Sequence, residues 1–279
     1  MCKVLKVSKS GFYKWVIAKP SQRIIRNTML KEKIIKIYQC SKFRYGSPRI
    51  AKELNIQGIL ASKPLVAKLM KQEHLRSIVK KKYKTTTDSN HKYPVVDNIL
   101  SREFNVAAKN MVWVSDITYI RTQTGWLYLT IVIDLYNRKV IGWALSVGLK
   151  TKDTTIPALK MATINSPIKH DEVVIFHSDR GIQYACEEFI TELQKYKNIK
   201  RSMSRKGNCW DNAVAESFFK TIKSELIYHI KYTNKQEAAL SIFEYIETWY
   251  NKNRRHSHLD NLTILEHEKS TIKQLKKVA

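Results

Sequence analysis

Asp116 in WVSDITYI, Asp179 in VVIFHSDRGIQY and Glu216 in NCWDNAVAESFFKTIKSEL are the residues whose type and setting point to chemistry. The aspartates interrupt or end apolar, β-branched runs, where lone aspartates are depleted. A carboxylate buried in such a run must be hydrogen-bonded, ion-paired or placed on a metal. Glu216 falls near the start of an amphipathic helical pattern, with Lys220 and Lys223 at i+4 and i+7 on the same face. Phe218, Phe219, Ile222 and Leu226 occupy the other side and can anchor that helix on a sheet. Two strand-borne aspartates and a helix-borne glutamate supply hard oxygen ligands suited to Mg²⁺ or Mn²⁺. Two such ions about 3.5–4 Å apart activate a water or a 3′-hydroxyl and stabilise a leaving oxygen. Phosphoryl transfer is therefore the chemistry the trio fits, because it asks mainly for positioning and charge neutralisation. Each acid also has a plainer reading: Glu216 with Lys220 as a surface pair, Asp179 as a cap or turn residue.

The charge balance names the class of partner. Lys and Arg number 50 against 24 Asp and Glu, a formal net charge of +26. A chain so basic binds a polyanion, and nucleic acid supplies the phosphates that the acids and their metals would act on. No apolar run approaches the about 18 residues that span a bilayer, and Met1-Cys2-Lys3-Val4-Leu5 lacks the apolar stretch of a signal peptide. These features favour a cytoplasmic protein working on DNA, with no membrane. The four cysteines, Cys2, Cys40, Cys186 and Cys209, form no CxxC and no zinc spacing, so reduced thiols are expected.

The elements that must position the acids follow from periodicity and punctuation. Residues 1–79 read as helices and turns. Ser8 or Ser10 serves as a helix cap or a turn residue. From Arg26 to Tyr38 an apolar face runs through Met29, Ile34, Ile35 and Tyr38. Gly46-Ser47-Pro48 opens the next helix, Gly58 breaks it, and Ser62-Lys63-Pro64 opens another with Leu65, Val66, Leu69 and Met70 inward. Two short helices around a glycine turn, with Arg49, Lys52, Lys63, Lys68 and Lys71 outward, suit a helix-turn-helix or a plain helical hairpin. Residues 80–98, including KKKYKTTTDSNHKYP, read as a basic linker.

Residues 99–270 have α/β texture, and 271–279 form a basic tail. WVSDITYI, WLYLTIVIDLY and VIGWALSV form an antiparallel meander with turns at Thr124-Gly125 and Asn137-Arg138-Lys139. A helix over Thr151–Asn165, capped by Asp153, precedes the buried strand VVIFHSD. Then come a helix over Glu187–Tyr196, a strand over Ile199–Met203, and helices over Asn212–Tyr228 and Lys235–Tyr250. Asp211 or Asn212 caps the first of these last two. Meander, helix, strand, helix, strand, helix is the order of a ribonuclease-H-like fold: a mixed five-stranded sheet with flanking helices, here behind a small all-α region.

Other residues are candidates for DNA contact or support. Arg205 and Lys206 flank the flexible Gly207, and Arg254, Arg255 and His256 crowd a helix end, where cations complement the helix dipole or grip phosphate. Asp134, at the end of the second strand, reads as a turn residue in preference to an extra acid of the site. His177, near Asp179, is either a packed histidine or a support for the site.

The motifs SGFYKW, YGSPRI with the following LMK, WVSDITYI, HSDRGIQY, SMSRKGNCWDNAVAESFFKTIKSEL and YNKNRRHSHL cover nearly the whole chain. In them the chain resembles the second-frame (OrfB) transposases of the insertion sequence 3 family, a branch of the DDE, or retroviral-integrase-like, superfamily. The resemblance implies that Asp116, Asp179 and Glu216 are the catalytic, metal-binding acids and that Lys223 is the basic partner one helical repeat beyond. It implies metal-dependent cleavage at element ends and strand transfer of the freed 3′-hydroxyl, in a homo-oligomer on DNA. It also implies an upstream-frame product, as fusion or partner, that reads the terminal repeats. A ribonuclease-H-like or resolvase-type nuclease, and a non-catalytic DNA-binding remnant, are the alternatives. The chain departs from the family pattern in three places. One residue more than usual, 36 in all, separates Asp179 from Glu216, at the Lys195–Asn198 turn. AAKNMVW lacks a proline common before the first strand, and another is replaced near Ile264.

Overall fold

The computed structural model describes residues 2–78 and 95–278. They fall into two compact units, Met1–Ile78 and Val79–Ala279. The basic linker expected over 80–98 lies mostly outside the described residues.

In the first unit, α1 (Lys9–Ile17), α2 (Gln22–Cys40), α3 (Ser47–Ile56) and α4 (Lys63–Gln72) begin at the serine and proline signals. Ser8, Ser21 and Ser62 accept from Gly11 N, Ile24 N and Leu65 N, satisfying first-turn donors that have no helical partner. Gly58 ends α3 at φ +77°, a backbone that glycine alone adopts without strain. Asn55 then holds the turn to α4 by accepting from Ala61 N at 2.9 Å. The core is Leu30, Ile34 and Ile37 with Ile50, Ala51, Leu54, Val66, Leu69 and Met70. The inward face of α2 is thus rotated from the one expected: Leu30, Ile34 and Ile37 keep the i, i+4, i+7 row, and Met29 is 47% exposed.

In the second unit the sheet order is β3-β2-β1-β4-β5. Strands β1 (Val112–Thr122), β2 (Gly125–Asp134) and β3 (Val140–Ser146) form the antiparallel meander. Strand β4 (Val174–Ser178) lies parallel to β1, and β5 (Ile199–Met203) parallel to β4. The helices are α5 (Thr155–Asn165), α6 (Ile182–Ala185), α7 (Glu187–Gln194), α8 (Ala213–Glu225), α9 (Lys235–Phe243) and α10 (Ile264–Val278), the last running into the segment expected as a tail. The mixed sheet with helices on both faces is the ribonuclease-H-like arrangement. Side chains alternate along β1: Val112 and Val114 join the core that α8 covers, and Trp113 joins the core of α5 and α7. By that alternation Asp116 belongs to the α8 side. Strand β3 lies tightly on α5 at Gly142, where an added Cβ would stand 2.1 Å from the Ala158 carbonyl oxygen.

Some boundaries differ from expectation for local reasons. Thr151–Asp153 is a 3₁₀ turn, and α5 starts at Thr155. Asp153 does not cap it; Thr154 takes the cap position but turns its hydroxyl back to Lys150 O at 2.9 Å. The helix expected over Lys235–Tyr250 becomes π-helical over Glu244–Asn253. That wider turn serves one buried carboxylate. Glu225 accepts from Tyr245 Oη at 2.9 Å, Trp249 Nε1 at 3.3 Å and Arg254 Nη2 at 2.8 Å. The step from Trp249 to Arg254 is five residues, the π repeat, and Arg254 N donates to Trp249 O at 2.7 Å.

Removing one member of a buried ion pair leaves the other charge unpaired and costs about 3–5 kcal/mol. Glu225→Ala is expected to lose that much stability in urea denaturation, and Tyr245→Phe, which deletes one of several bonds to Glu225, much less.

Candidate active site

Parallel pairing of β1 with β4 sets the site. Ser115 pairs with Ser178, and the next residues are Asp116 and Asp179. Asp116 lies within β1 opposite Ile131 of β2, and its Oδ1 accepts from Ile117 N at 2.8 Å. Asp179 follows the last residue of β4. Its Oδ1 accepts from Gly181 N at 2.9 Å, and a Cβ on Gly181 would stand 3.0 Å from that oxygen. The strand end therefore turns sharply under the carboxylate. Glu216 lies in the first turn of α8, half-buried.

The three carboxylates are within electrostatic reach. Burial, then the charge of Asp179, then that of Glu216 push the Asp116 carboxyl well above its ordinary range; the Ile117 N–H and Lys223 act in the opposite sense. Burial also raises Glu216. Lys223, half-buried, is lowered by burial and held up by Asp116, and its Nζ lies 5.9 Å from the Tyr119 ring centroid. Among the described residues no three His, Cys, Asp or Glu stand as a ready-made metal cage. Like charges oppose such convergence on their own. A desolvated carboxylate raised by two others is nonetheless the donor set that a hard divalent cation suits.

Behind Asp116 lie groups that sequence reasoning did not single out as site residues. Ser115 Oγ donates to Ile131 O at 2.7 Å and stands 2.7 Å from Tyr184 Oη. Asn212 Nδ2 donates to Ser115 O at 3.0 Å. Burial, then Asp116, then Asp179 push the Tyr184 hydroxyl well above its usual range. Ser115 and Tyr184 were visible as members of the two aspartate motifs, but no periodicity marks their contact. Asn212 was expected as a cap. It sits at the cap position and makes no side-chain cap bond.

The basic candidates divide. Lys206 and Lys220 are exposed, and Lys206 precedes Gly207 at φ +68°. Arg205 is exposed but tied to Asp211 through its backbone N, Nε and Nη2. Arg102, which sequence reading missed, donates to the same carboxylate at 2.8 Å. These arginines hold Asp211 well below the usual carboxylate range, so it is committed to them and caps nothing. Arg254, Arg255 and His256 are buried, which corrects their reading as phosphate contacts. Arg254 pairs with Glu225, Arg255 with Glu266 at 2.8 Å, and His256 Nε2 meets Tyr250 O at 3.2 Å. Arg49, in the first unit, lies 5.6 Å over the Tyr45 ring. His177 is packed between the Ser202 and Ser204 hydroxyls, and burial lowers it to about 4. Asp134 is a turn residue, accepting from Asn110 N and Tyr136 N.

An integrase core domain family matches residues 106–209, a second integrase core domain family matches 197–263, and an HTH-like domain family matches 25–83. These family matches, on a ribonuclease-H-like fold, define an integrase-type core of the polynucleotidyl transferase class. The 31 kDa protein of insertion element IS600 from Shigella sonnei is 41% identical over 94% of this chain and 95% of its own length. Transposase InsF for insertion sequence IS3A of Escherichia coli (strain K12) is 38% identical over 92% and 88%. The chain belongs to the insertion sequence 3 (IS3) family of transposases. Among solved structures, a simian T-cell lymphotropic virus intasome in complex with PP2A regulatory subunit B56 gamma covers 84% of this chain and 74% of its own at TM-score 0.48 and 14% identity.

A carboxyl raised in the folded state withdraws stability as pH climbs through its elevated pKa. Asp116→Asn is therefore expected to match the parent's Tm in chelator below the ordinary carboxylate range. It should melt higher at neutral pH, by about 2–4 °C for each kcal/mol of repulsion relieved. Thermal melts across that range check this.

Proposed function

We propose that this transposase cuts DNA at the ends of its insertion element and joins the freed 3′-hydroxyl to a second phosphodiester, with Asp116, Asp179 and Glu216 as the catalytic, metal-holding acids. The observation that carries the reading is that the charges of Asp179 and Glu216 both act on buried Asp116, beside the pairing of β1 with β4 in the middle of the sheet. Mg²⁺ or Mn²⁺, two ions per site, supplies activation of the attacking oxygen and stabilisation of the leaving one when bound. The chain's own work is placement. Strands β1 and β4 hold two acids in register, and α8 brings the third with Lys223 facing Asp116. Lys220, Lys206 and the outward part of Arg205 offer cations to the DNA backbone.

Residues 99–270 are proposed as the catalytic core and 1–79 as a DNA-binding region in which α3, α4 and Arg49 form a helix-turn-helix. Reading of the terminal repeats is assigned to an upstream-frame product, as fusion or partner, and catalysis to a homo-oligomer on paired ends. Among the described residues no helix is long and apolar enough to cross a membrane. The proposed place of work is the bacterial cytoplasm, at the nucleoid.

A strand-joining assay on element-end DNA, with the upstream portion supplied, tests the reading. Joined product is expected; hydrolysis alone would assign a resolvase-type nuclease instead. Asp179→Asn and Glu216→Gln are each expected to abolish cleavage and leave DNA affinity nearly unchanged in filter binding. Retained cleavage would remove them from the site. Lys223→Ala is expected to weaken DNA binding and to flatten the slope of log K against log salt by about 1. An unchanged slope would make Lys223 a purely internal partner of Asp116.

A further inference from the structure

Ser115 gathers bonds from the two segments that carry the other proposed acids. It immediately precedes Asp116 and is 1% exposed. Its single hydroxyl proton goes to Ile131 O, so Tyr184 is the donor in the 2.7 Å contact with Ser115 Oγ. Tyr184 lies on α6, a short run beyond Asp179. The Ser115 carbonyl accepts from Asn212, which lies one helical turn before Glu216. One buried residue of the Asp116 strand thus bonds to β2, to the segment after Asp179 and to the lead-in to Glu216.

We propose that Ser115, Tyr184 and Asn212 form a positioning joint that holds the three carboxylates at the spacing their metal ions require. This inference rests on the proposed catalytic reading of Asp116, Asp179 and Glu216. Two observations separate the joint from ordinary packing. Asn212 occupies the cap position of α8, where asparagine usually bonds a first-turn N–H, and gives that bond up. Among the described residues its Oδ1 is buried with no partner, an unfavourable arrangement that accompanies the bond its amide nitrogen makes to Ser115. Tyr184, also 1% exposed, spends its hydroxyl on Ser115 and, among the described residues, on no other partner. None of the three is an acid; their effect on the reaction passes through the residues next to them. Groups that orient metal-binding side chains change metal affinity or activity about 10–100-fold when lost.

The test uses the full chain with the upstream portion supplied, titrating Mg²⁺ in the cleavage assay. Tyr184→Phe, which removes one oxygen, and Asn212→Ala are each expected to raise the half-saturating Mg²⁺ concentration about tenfold and to slow cleavage about 10–100-fold. DNA affinity and melting temperature should stay near the parent's. Mn²⁺, which tolerates looser geometry, should restore part of the rate. Parent-like Mg²⁺ dependence and rate would overturn the joint, as would a rate loss that tracks lowered Tm with no change in Mg²⁺ dependence. If Asn212→Ala does not fold, Tyr184→Phe carries the test alone. Asp116→Asn is run in parallel. Parent-like cleavage there would overturn the catalytic reading itself. An inactive Asp116→Asn beside parent-like Tyr184→Phe and Asn212→Ala would overturn the joint alone.

Discussion

The repulsion that Asp179 and Glu216 exert on buried Asp116 is the constraint that the second unit must hold against. Desolvated carboxylates placed near one another cost free energy, so the surrounding structure must hold them there. The parallel pairing of β1 with β4 does so for the two aspartates, because backbone ladder bonds set their register independently of their charge. Helix α8 does so for Glu216 by burying Ala215, Phe218, Phe219 and Ile222 against the sheet. The apolar face of one helix thus offsets the charge on its other face. Lys223, drawn toward Asp116 from the end of that helix, relieves part of the repulsion.

The large positive charge divides into two populations. Some cations are committed to acids of the fold: Arg254 on Glu225 and Arg255 on Glu266 in the interior, and the partly outward Arg205 and Arg102 on buried Asp211. Their carboxylates are buried or half-buried; Arg102 and Arg254 reach theirs across 109 and 29 residues, Arg255 and Arg205 across 11 and 6. The others, such as Lys206 and Lys220, are exposed, and these bear on polyanion binding. Net charge alone is therefore a poor map of where a phosphate backbone lies. The π-helical stretch belongs to the first population, since its wider turn is what brings Trp249 and Arg254 onto one buried acid.

Much of the second unit was legible because its strands are marked by β-branched and aromatic runs between turn residues, and local sterics decide such segments. Ile199–Met203 is reproduced to the residue. Helix ends were less legible. Thr154 bonding back to Lys150, and Asn212 bonding across to Ser115, are choices among partners that only the folded chain supplies. The face of α2 was misjudged for a related reason: several apolar rows run along it, and the one that meets α3 and α4 is decided by packing.

By itself, the sequence determined the elements, the positions of the acids within them, and the family. These follow from short-range periodicity and from motifs long enough to be specific. Tertiary structure decided which charges are spent internally and which remain outward. RRH at 254–256 reads as a basic surface cluster, yet it is buried, because its partners Glu225 and Glu266 arrive from other helices. It also decided that Ser115, Tyr184 and Asn212 meet. Hydrogen bonds between residues 69 and 97 positions apart leave no mark in local pattern, since each side chain is ordinary in its own segment and acquires its role only on contact.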